Sequence, residues 1–333
     1  MNWNGLPDTV ECLESALKQS YRNYQIILVE NGSTDGSYEK ILEYFKGHLD
    51  CGFLSSSPHK DKIFPLSEKP LDFIECRGQQ DSGQRVVLIR NEINQGWSAG
   101  FKTGLDFFLK KNDGDYLLVL NNDVVIEADY LGKLVETAVR NPDFGVIGSI
   151  AYWYEYPERI MSVGGEFTFA DWQLYTDLSD LKRKAEMSFP NEYLVSVLTG
   201  CSMFFQKKSF SVVGPTPVYY HFWEDLELYY RLRNAGFGLI LNTDARLWHK
   251  GGTAENYHQG PTKFSSYYGI RNKFIFAKRN LGILEKSYIY TVFAAKMMIR
   301  VFFYRISKEV KQGMLRGVLD GFRGVTGKID LKN

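Results

Sequence analysis

Three short, unbroken apolar runs constrain this chain more than any other feature. They are Gln25-Ile26-Ile27-Leu28-Val29, Val86-Val87-Leu88-Ile89 and Tyr116-Leu117-Leu118-Val119-Leu120. Each is too short for a helix, and each runs into Asn, Gly, Ser or Asp, as a strand buried on both faces does when it enters a loop. Between them lie helical stretches. Ser98 is placed to cap one whose Phe101, Leu105, Phe108 and Leu109 share a face. Leu131, Leu134, Val135, Ala138 and Val139 form a second stripe, stopped near Asn141-Pro142. Strand alternating with helix implies an α/β fold, a mostly parallel sheet covered by helices on both faces. In such sheets ligands gather at the carboxyl ends of the strands, where the polar loops of this chain fall.

The 333 residues suffice for one large α/β domain and an appendage, and an apolar share of 44% supplies an ordinary globular core. A net charge of +1 argues against a nucleic-acid partner. That total hides an asymmetry. From Lys278 onward there are twelve Lys and Arg against four Asp and Glu, a net of +8, which leaves −7 for the rest. A basic tail on an acidic body points to an anionic surface. The segment Ser287–Arg305 is apolar and aromatic but carries Lys296 and Arg300, each costing about 2.5–3.5 kcal/mol at a bilayer centre. It reads as an interfacial amphipathic helix or a core-packing one, rather than a span. Cys12, Cys51, Cys76 and Cys201 form no Cys-x-x-Cys pair, so reduced cytoplasmic thiols are expected and a zinc knuckle is not.

Residues 47–85 break the alternation with Gly, Ser, Pro and charge and read as a variable insertion; about 150–215 reads as irregular strands. Further on, Trp223-Glu224-Asp225-Leu226-Glu227 opens a helix with acidic residues in its first turn, and Gly236 stands where its C-terminal cap belongs. A carboxylate at that junction, open to a cleft, could take a proton from an incoming hydroxyl. The alternative is acidic decoration of a helix start.

Taken in order, Asn2-Trp3-Asn4-Gly5, Glu30-Asn31-Gly32-Ser33-Thr34-Asp35-Gly36-Ser37, Asn94-Gln95-Gly96-Trp97-Ser98-Ala99-Gly100, Asn121-Asn122-Asp123, Thr199-Gly200-Cys201, Trp223-Glu224-Asp225 and His249-Lys250-Gly251-Gly252 resemble the motifs of family 2 glycosyltransferases of the GT-A fold, rhamnosyltransferase-like enzymes of cell-surface polysaccharide assembly among them. The resemblance covers about residues 1–280 and leaves 281–333 as a basic helical extension. It implies a first apolar strand ahead of Asn2, so the natural start is expected upstream of Met1, or poor folding without it.

The resemblance also implies roles. Asn2, Trp3, Asn4 and Glu30 would meet the base or ribose of a nucleotide, with Asp35 a second polar contact or simply the cap of the following helix. Asn94, Gly96 and Gly100 would admit the diphosphate at a helix start, or serve helix–sheet packing. Asn122 and Asp123 would border the diphosphate, Asp123 holding Mg2+ or Mn2+ with His249 completing the shell, unless Asp123 is a turn residue. Asp225 would be the catalytic base, with Glu224 touching the acceptor or orienting the loop. Arg271, within Tyr267-Tyr268-Arg271-Asn272, would stabilise the leaving group or lie at the core edge.

The implied activity is inverting, metal-dependent transfer of rhamnose or a hexose from a nucleoside diphosphate sugar to a glycan or lipid-linked acceptor, at the inner face of the cytoplasmic membrane. Two rivals remain: a sugar nucleotidyltransferase, disfavoured because Asn2-Trp3-Asn4-Gly5 has no Gly-rich triphosphate loop with a Lys or Arg, and a non-catalytic binder of sugar nucleotides.

Overall fold

A computed structural model describes residues 1–76, 85–111, 113–165, 191–213, 219–251 and 261–331. Gly252 and His258, and parts of the 47–85 and 150–215 segments, lie outside these residues. The chain divides into two compact units. The first comprises Met1–Asn94, Gly100–Gly214 and Leu232–Ala254; the second comprises Gln95–Ala99, Pro215–Arg231 and Glu255–Asn333.

In the first unit the first two apolar runs become β1 (Ile26–Asn31) and β3 (Val86–Asn91), paired in parallel from Ile26 opposite Val86 to Asn31 opposite Asn91. β2 (Phe73–Cys76) joins the other edge of β3, also in parallel. Part of the 47–85 segment is therefore scaffold, and its Leu54 and Ile63 are buried with the core beneath. Helices α1 (Leu6–Leu17) and α2 (Ser37–Lys46) cover this sheet, packing Val10, Leu13, Ile41 and Phe45 against Leu28, Val86 and Leu88. Closing that many apolar side chains away from water supplies about 1.5–3 kcal/mol each.

The third run, β4 (Tyr116–Leu120), does not extend this ladder. It pairs antiparallel with β9 (Ser202–Gln206), from Tyr116 opposite Gln206 to Leu120 opposite Ser202. An apolar run reports burial on two faces and says nothing of strand direction, so the parallel reading of this strand gives way. The second sheet runs β4-β9-β6-β10-β5, using β6 (Phe144–Trp153), β10 (Gly238–His249) and β5 (Val124–Ile126), with short β7 (Ile160–Ser162) and β8 (Glu192–Leu194) on its flanks. β6 and β10 are parallel; β10 and β5 are antiparallel. Its core gathers Tyr130, Leu134, Phe144, Ile147, Phe204 and Leu247.

The helical stripes hold with two exceptions. In α4 (Trp97–Lys111) Phe101, Leu105 and Phe108 are buried but Leu109 turns outward; in α5 (Tyr130–Arg140) Leu131, Leu134 and Ala138 are buried but Val139 is exposed. Both outliers directly follow a buried residue, and the 100° step carries them off the stripe. Ser98 sits inside the first turn of α4 rather than at its cap. Two further short helices, α3 (Lys60–Ile63) and α6 (Lys207–Val213), complete this unit.

The second unit is helical. α7 (Glu224–Asn234), shared with the first unit at its end, closes at Gly236 in a left-handed turn, with Phe237 N donating to Leu232 O. α8 (Lys263–Asn280) starts at a reciprocal Thr262–Ser265 cap. A helix follows through α9 (Ile283–Tyr288), a wide turn at Ile289–Phe293 and α10 (Ala294–Phe303), and then α11 (Lys308–Arg323) returns along α8. Gly313, Gly317 and Gly321 make that close return possible: a Cβ on Gly317 would stand 2.8 Å from the Tyr267 carbonyl oxygen. The segment beyond residue 280 thus packs on α8 in one unit with it.

Candidate functional site

In the first unit the polar strand ends knit two loops together. Asn2 N donates to Val29 O and Asn31 N donates to Asn2 O, each at 2.8 Å. The Asn2 amide donates to Ser33 Oγ at 3.1 Å and accepts from Thr9 Oγ1 at 2.8 Å, while Asn122 Nδ2 donates to Thr9 Oγ1 at 3.0 Å. A continuous relay runs Asn122–Thr9–Asn2–Ser33. Asn2 is fully buried, so its side chain is scaffold and not a nucleotide contact. Asn4, at φ +51°, accepts from Thr34 N at 2.8 Å and clasps the same loop. Trp3, half exposed, remains free to meet a planar base.

Glu30 keeps one oxygen available. Oε1 accepts from Ser33 N at 2.9 Å, but Oε2 is buried with no hydrogen-bond partner. An orphaned carboxylate oxygen costs about 1–3 kcal/mol or more, a cost that a donor group on a ligand would relieve. Asp35, in contrast, is exposed and accepts from Ser37 N at 3.0 Å; the Ser37 side chain first, and this backbone bond after it, hold its carboxyl below the ordinary range. Its geometry is that of a helix entry.

The glycines of the 94–104 segment serve packing. A Cβ on Gly100 would overlap the Met1 sulfur and crowd the Asn31 amide, and one on Gly96, at φ +99°, would overlap the Tyr220 carbonyl. Asn94 accepts from Asn31 Nδ2 at 3.2 Å and ties the β1 and β3 loops.

At the end of β4, Asp123 Oδ1 lies 3.3 Å from His249 Nε2, at the end of β10. Burial pushes the Asp123 carboxyl up, but the hydrogen bond and charge of His249 outweigh it and hold it below the usual range. Burial likewise disfavours the His249 cation, yet Cys201 and Asp123 raise it to about 10. His249 Nδ1 is buried without a partner. A divalent cation would have to displace the proton that His249 holds; Asp123 Oδ1 and His249 Nε2, which face each other, would then be two of its ligands, with phosphate oxygens and water as the rest. Among the described residues there is no cluster of three or more His, Cys, Asp and Glu that could hold a metal alone.

A residue that the sequence reading passed over fixes this pair. Lys250 N donates to Asp123 O at 3.0 Å, and its Nζ reaches Asp8 at 2.6 Å and buried Glu11 at 2.8 Å on α1. Burial disfavours both charges, but each holds the other ionised, with Ser57 and Tyr154 also donating to Glu11. The only signal was adjacency to His249, because Asp8 and Glu11 are distant in sequence.

The second unit holds the acidic helix start. Glu224 is buried with Oε2 unpartnered, and Asp225 accepts from Leu226 N at 2.8 Å. Burial raises both carboxyls, and the charge of Asp225 raises Glu224 further. The turn before them is strained: Phe222 and Trp223 stand at φ +64° and +77°, values costing about 1–3 kcal/mol each for bulky residues. Asn272 Nδ2 clamps it, donating to His221 O at 2.7 Å and Phe222 O at 2.9 Å, while Trp223 Nε1 donates to Gly269 O at 3.0 Å. Arg271 is fully buried, donates to Asn272 Oδ1 at 2.9 Å and Gly327 O at 2.8 Å, and stacks on Tyr268. It orients the clamp, and its second terminal nitrogen, Nη2, is buried without a hydrogen-bond partner. A strained turn, braced by two buried residues and presenting raised carboxyls, has the marks of a functional junction.

The Glycosyl transferase family 2 model matches residues 2–57 and 73–214. Glycosyltransferase GlyG of Streptococcus pneumoniae serotype 4 is 26% identical over 149 residues, 45% of this chain and 36% of that protein, so the chain matches about a third of its relative's length. GalNAc-T7, solved with UDP, GalNAc and Mn2+, superposes with a TM-score of 0.54 at 16% identity, covering 91% of this chain and 50% of that one. Mannosyltransferase PcManGT from Pyrobaculum calidifontis, with GDP-Man and Mn2+, gives 0.52 at 11% identity over 97% and 84% of the two chains. S. aureus TarS gives 0.52 at 12% identity over 97% and 48%. The fold is thus the GT-A α/β architecture, and the chain belongs to glycosyl transferase family 2.

Proposed function

We propose that this protein transfers a sugar from a nucleoside diphosphate to a hydroxyl, with inversion at the anomeric carbon and dependence on a divalent cation. Asp225 takes the proton of the acceptor hydroxyl as its oxygen bonds to the anomeric carbon. The bond from that carbon to the phosphate oxygen breaks, and the nucleoside diphosphate leaves with the electron pair. Asp123 and His249 are the residues to hold Mg2+ or Mn2+, which when bound offsets charge on the leaving diphosphate. Glu30 meets the base or ribose, and Glu224 touches the acceptor or orients the loop that carries Asp225.

The observation that carries this reading is the pair of carboxyls on buried Glu224 and half-buried Asp225, both raised and neither in an ion pair among the described residues, behind a strained turn. A structural acid is normally paired; a base needs a pKa brought toward the working pH. Solved structures of like fold with UDP or GDP-Man and Mn2+ support the choice of donor class and cation. We place dTDP-rhamnose and UDP-hexoses first among donors, and a growing or lipid-linked glycan of the cell surface as acceptor.

The test is a donor panel with Mn2+ in which nucleoside diphosphate release is followed with and without glycan acceptors. Acceptor-dependent release that disappears in Asp225→Asn, with donor binding kept, supports the assignment. Pyrophosphate release would indicate nucleotidyl transfer, and turnover retained by Asp225→Asn would remove the base.

A further inference from the structure

The helix from Ile283 to Phe303 packs through one side only. Ile289, Ala294, Met297 and Val301 are buried. On an ordinary surface helix the opposite side is polar. Here it is not: Leu284 is 83% exposed, Ile299 52%, Phe302 67% and Phe303 82%. Ala295, Ile299, Phe302 and Phe303 recur at the three- and four-residue spacings that place side chains in one strip. Lys296 and Arg300, one turn apart, edge that strip, and both are exposed.

The charge around the strip is one-sided. Burial, then Lys296 and Arg300, push the ammonium of neighbouring Lys273 down to about 7. Among the described residues the ion pairs of this region are Arg279–Glu227 and Arg316–Asp320, and neither involves Lys296, Arg300, Arg305 or Lys308. An apolar strip edged by uncompensated cations is complementary to a surface that is anionic outside and apolar just below.

We propose that this face docks on an anionic lipid bilayer, with Ile299, Phe302 and Phe303 entering the acyl boundary and Lys296 and Arg300 meeting lipid phosphates. Side chains standing this far out of the surface need no preformed hollow in fluid acyl chains, whereas a folded protein partner would have to supply one. A second copy is disfavoured by charge, since a two-fold contact would bring like cations together. No helix among the described residues is long and apolar enough to cross a membrane, so the contact is peripheral. The inference is independent of the proposed transfer, although it suits a lipid-linked acceptor.

Flotation of the whole protein with vesicles of phosphatidylcholine carrying about 30 mol% phosphatidylglycerol, against vesicles of phosphatidylcholine alone, tests it. Binding to the anionic vesicles is expected, with a loss of about tenfold or more in both Phe302→Ser/Phe303→Ser and Lys296→Glu/Arg300→Glu. Because these side chains are exposed, thermal melts should match the parent, and nucleotide binding followed by thermal shift should be unchanged in both variants. Absence of binding to the anionic vesicles, equal binding by the parent and both variants, or a salt-stable dimer abolished by Phe302→Ser/Phe303→Ser would overturn it.

Discussion

Two acidic centres in this molecule are tuned in opposite directions. At the strand ends of the first unit, Asp123 has His249 beside it and Glu11 has Lys250, so both carboxyls are held ionised in spite of burial. At the helix start of the second unit, burial raises Glu224 and Asp225, and the charge of Asp225 raises Glu224 further. The same functional group is thereby fitted to different work. A carboxylate that holds a cation must stay charged, whereas one that accepts a proton gains from a higher affinity for it. Compensation favours stability in the first case, and its lack costs stability in the second.

The contrast can be broken most sharply at Asp225. Asp225→Asn should lower turnover about a thousandfold, within the range for a lost general base, while donor affinity changes by less than about twofold. Steady-state rates beside calorimetric donor binding measure both. Next in size, Lys250→Met should destabilise the first unit by about 3 kcal/mol, because buried Glu11 loses its cation. Urea denaturation at neutral pH reads this, and a loss below about 1 kcal/mol would show the pair to be weakly coupled.

Smaller again, Asp123→Ala should weaken Mn2+-dependent donor binding about ten- to a hundredfold and leave any metal-free binding unaltered, as titrations with and without chelator would show. The mildest change is Glu224→Gln. A carboxyl whose folded pKa is raised contributes stability below its unfolded pKa and loses that contribution as pH rises through the folded value. The parent should therefore weaken as pH climbs from about 4 toward 8 relative to Glu224→Gln, which should be about 1–2 kcal/mol more stable at pH 8 and no better at pH 4. Glu224 titrates above Asp225 and is therefore neutral while Asp225 ionises, so the rising limb of the transfer rate should keep its midpoint in Glu224→Gln. A midpoint that moved to lower pH would show that Glu224 is already charged when Asp225 titrates.

Much of the scaffold was legible. β1 and β3 lie where apolar runs ended in polar loops, and α2, α5 and α7 follow their stripes and caps. The acidic ends Asp123 and Glu224–Asp225 stand out as charge at the edge of an apolar segment, a pattern carried by adjacent residues. What escaped was partnership at a distance. Asn2 and Asn122 looked like ligand contacts, yet they meet each other through Thr9 inside the scaffold. Arg271 braces Asn272, a contact its place in the sequence did not announce. At Gly96 and Gly100 the space a Cβ would take is filled by Tyr220 in one case and Met1 in the other, packing partners far away in sequence.

The sequence by itself determined that the three apolar runs are strands and that the stripes around Phe101 and Leu134 are helices, which loops carry acid, and that the C-terminal stretch is both basic and apolar. Those properties follow from side-chain period and composition, which are local. Only the tertiary structure decided the direction of β4, the pairing of Lys250 with Glu11, and which side of the Ile283–Phe303 helix faces outward. Each of these depends on what stands opposite a side chain once the chain has folded, and the burial that sets its charge or exposure comes from residues far away along the chain.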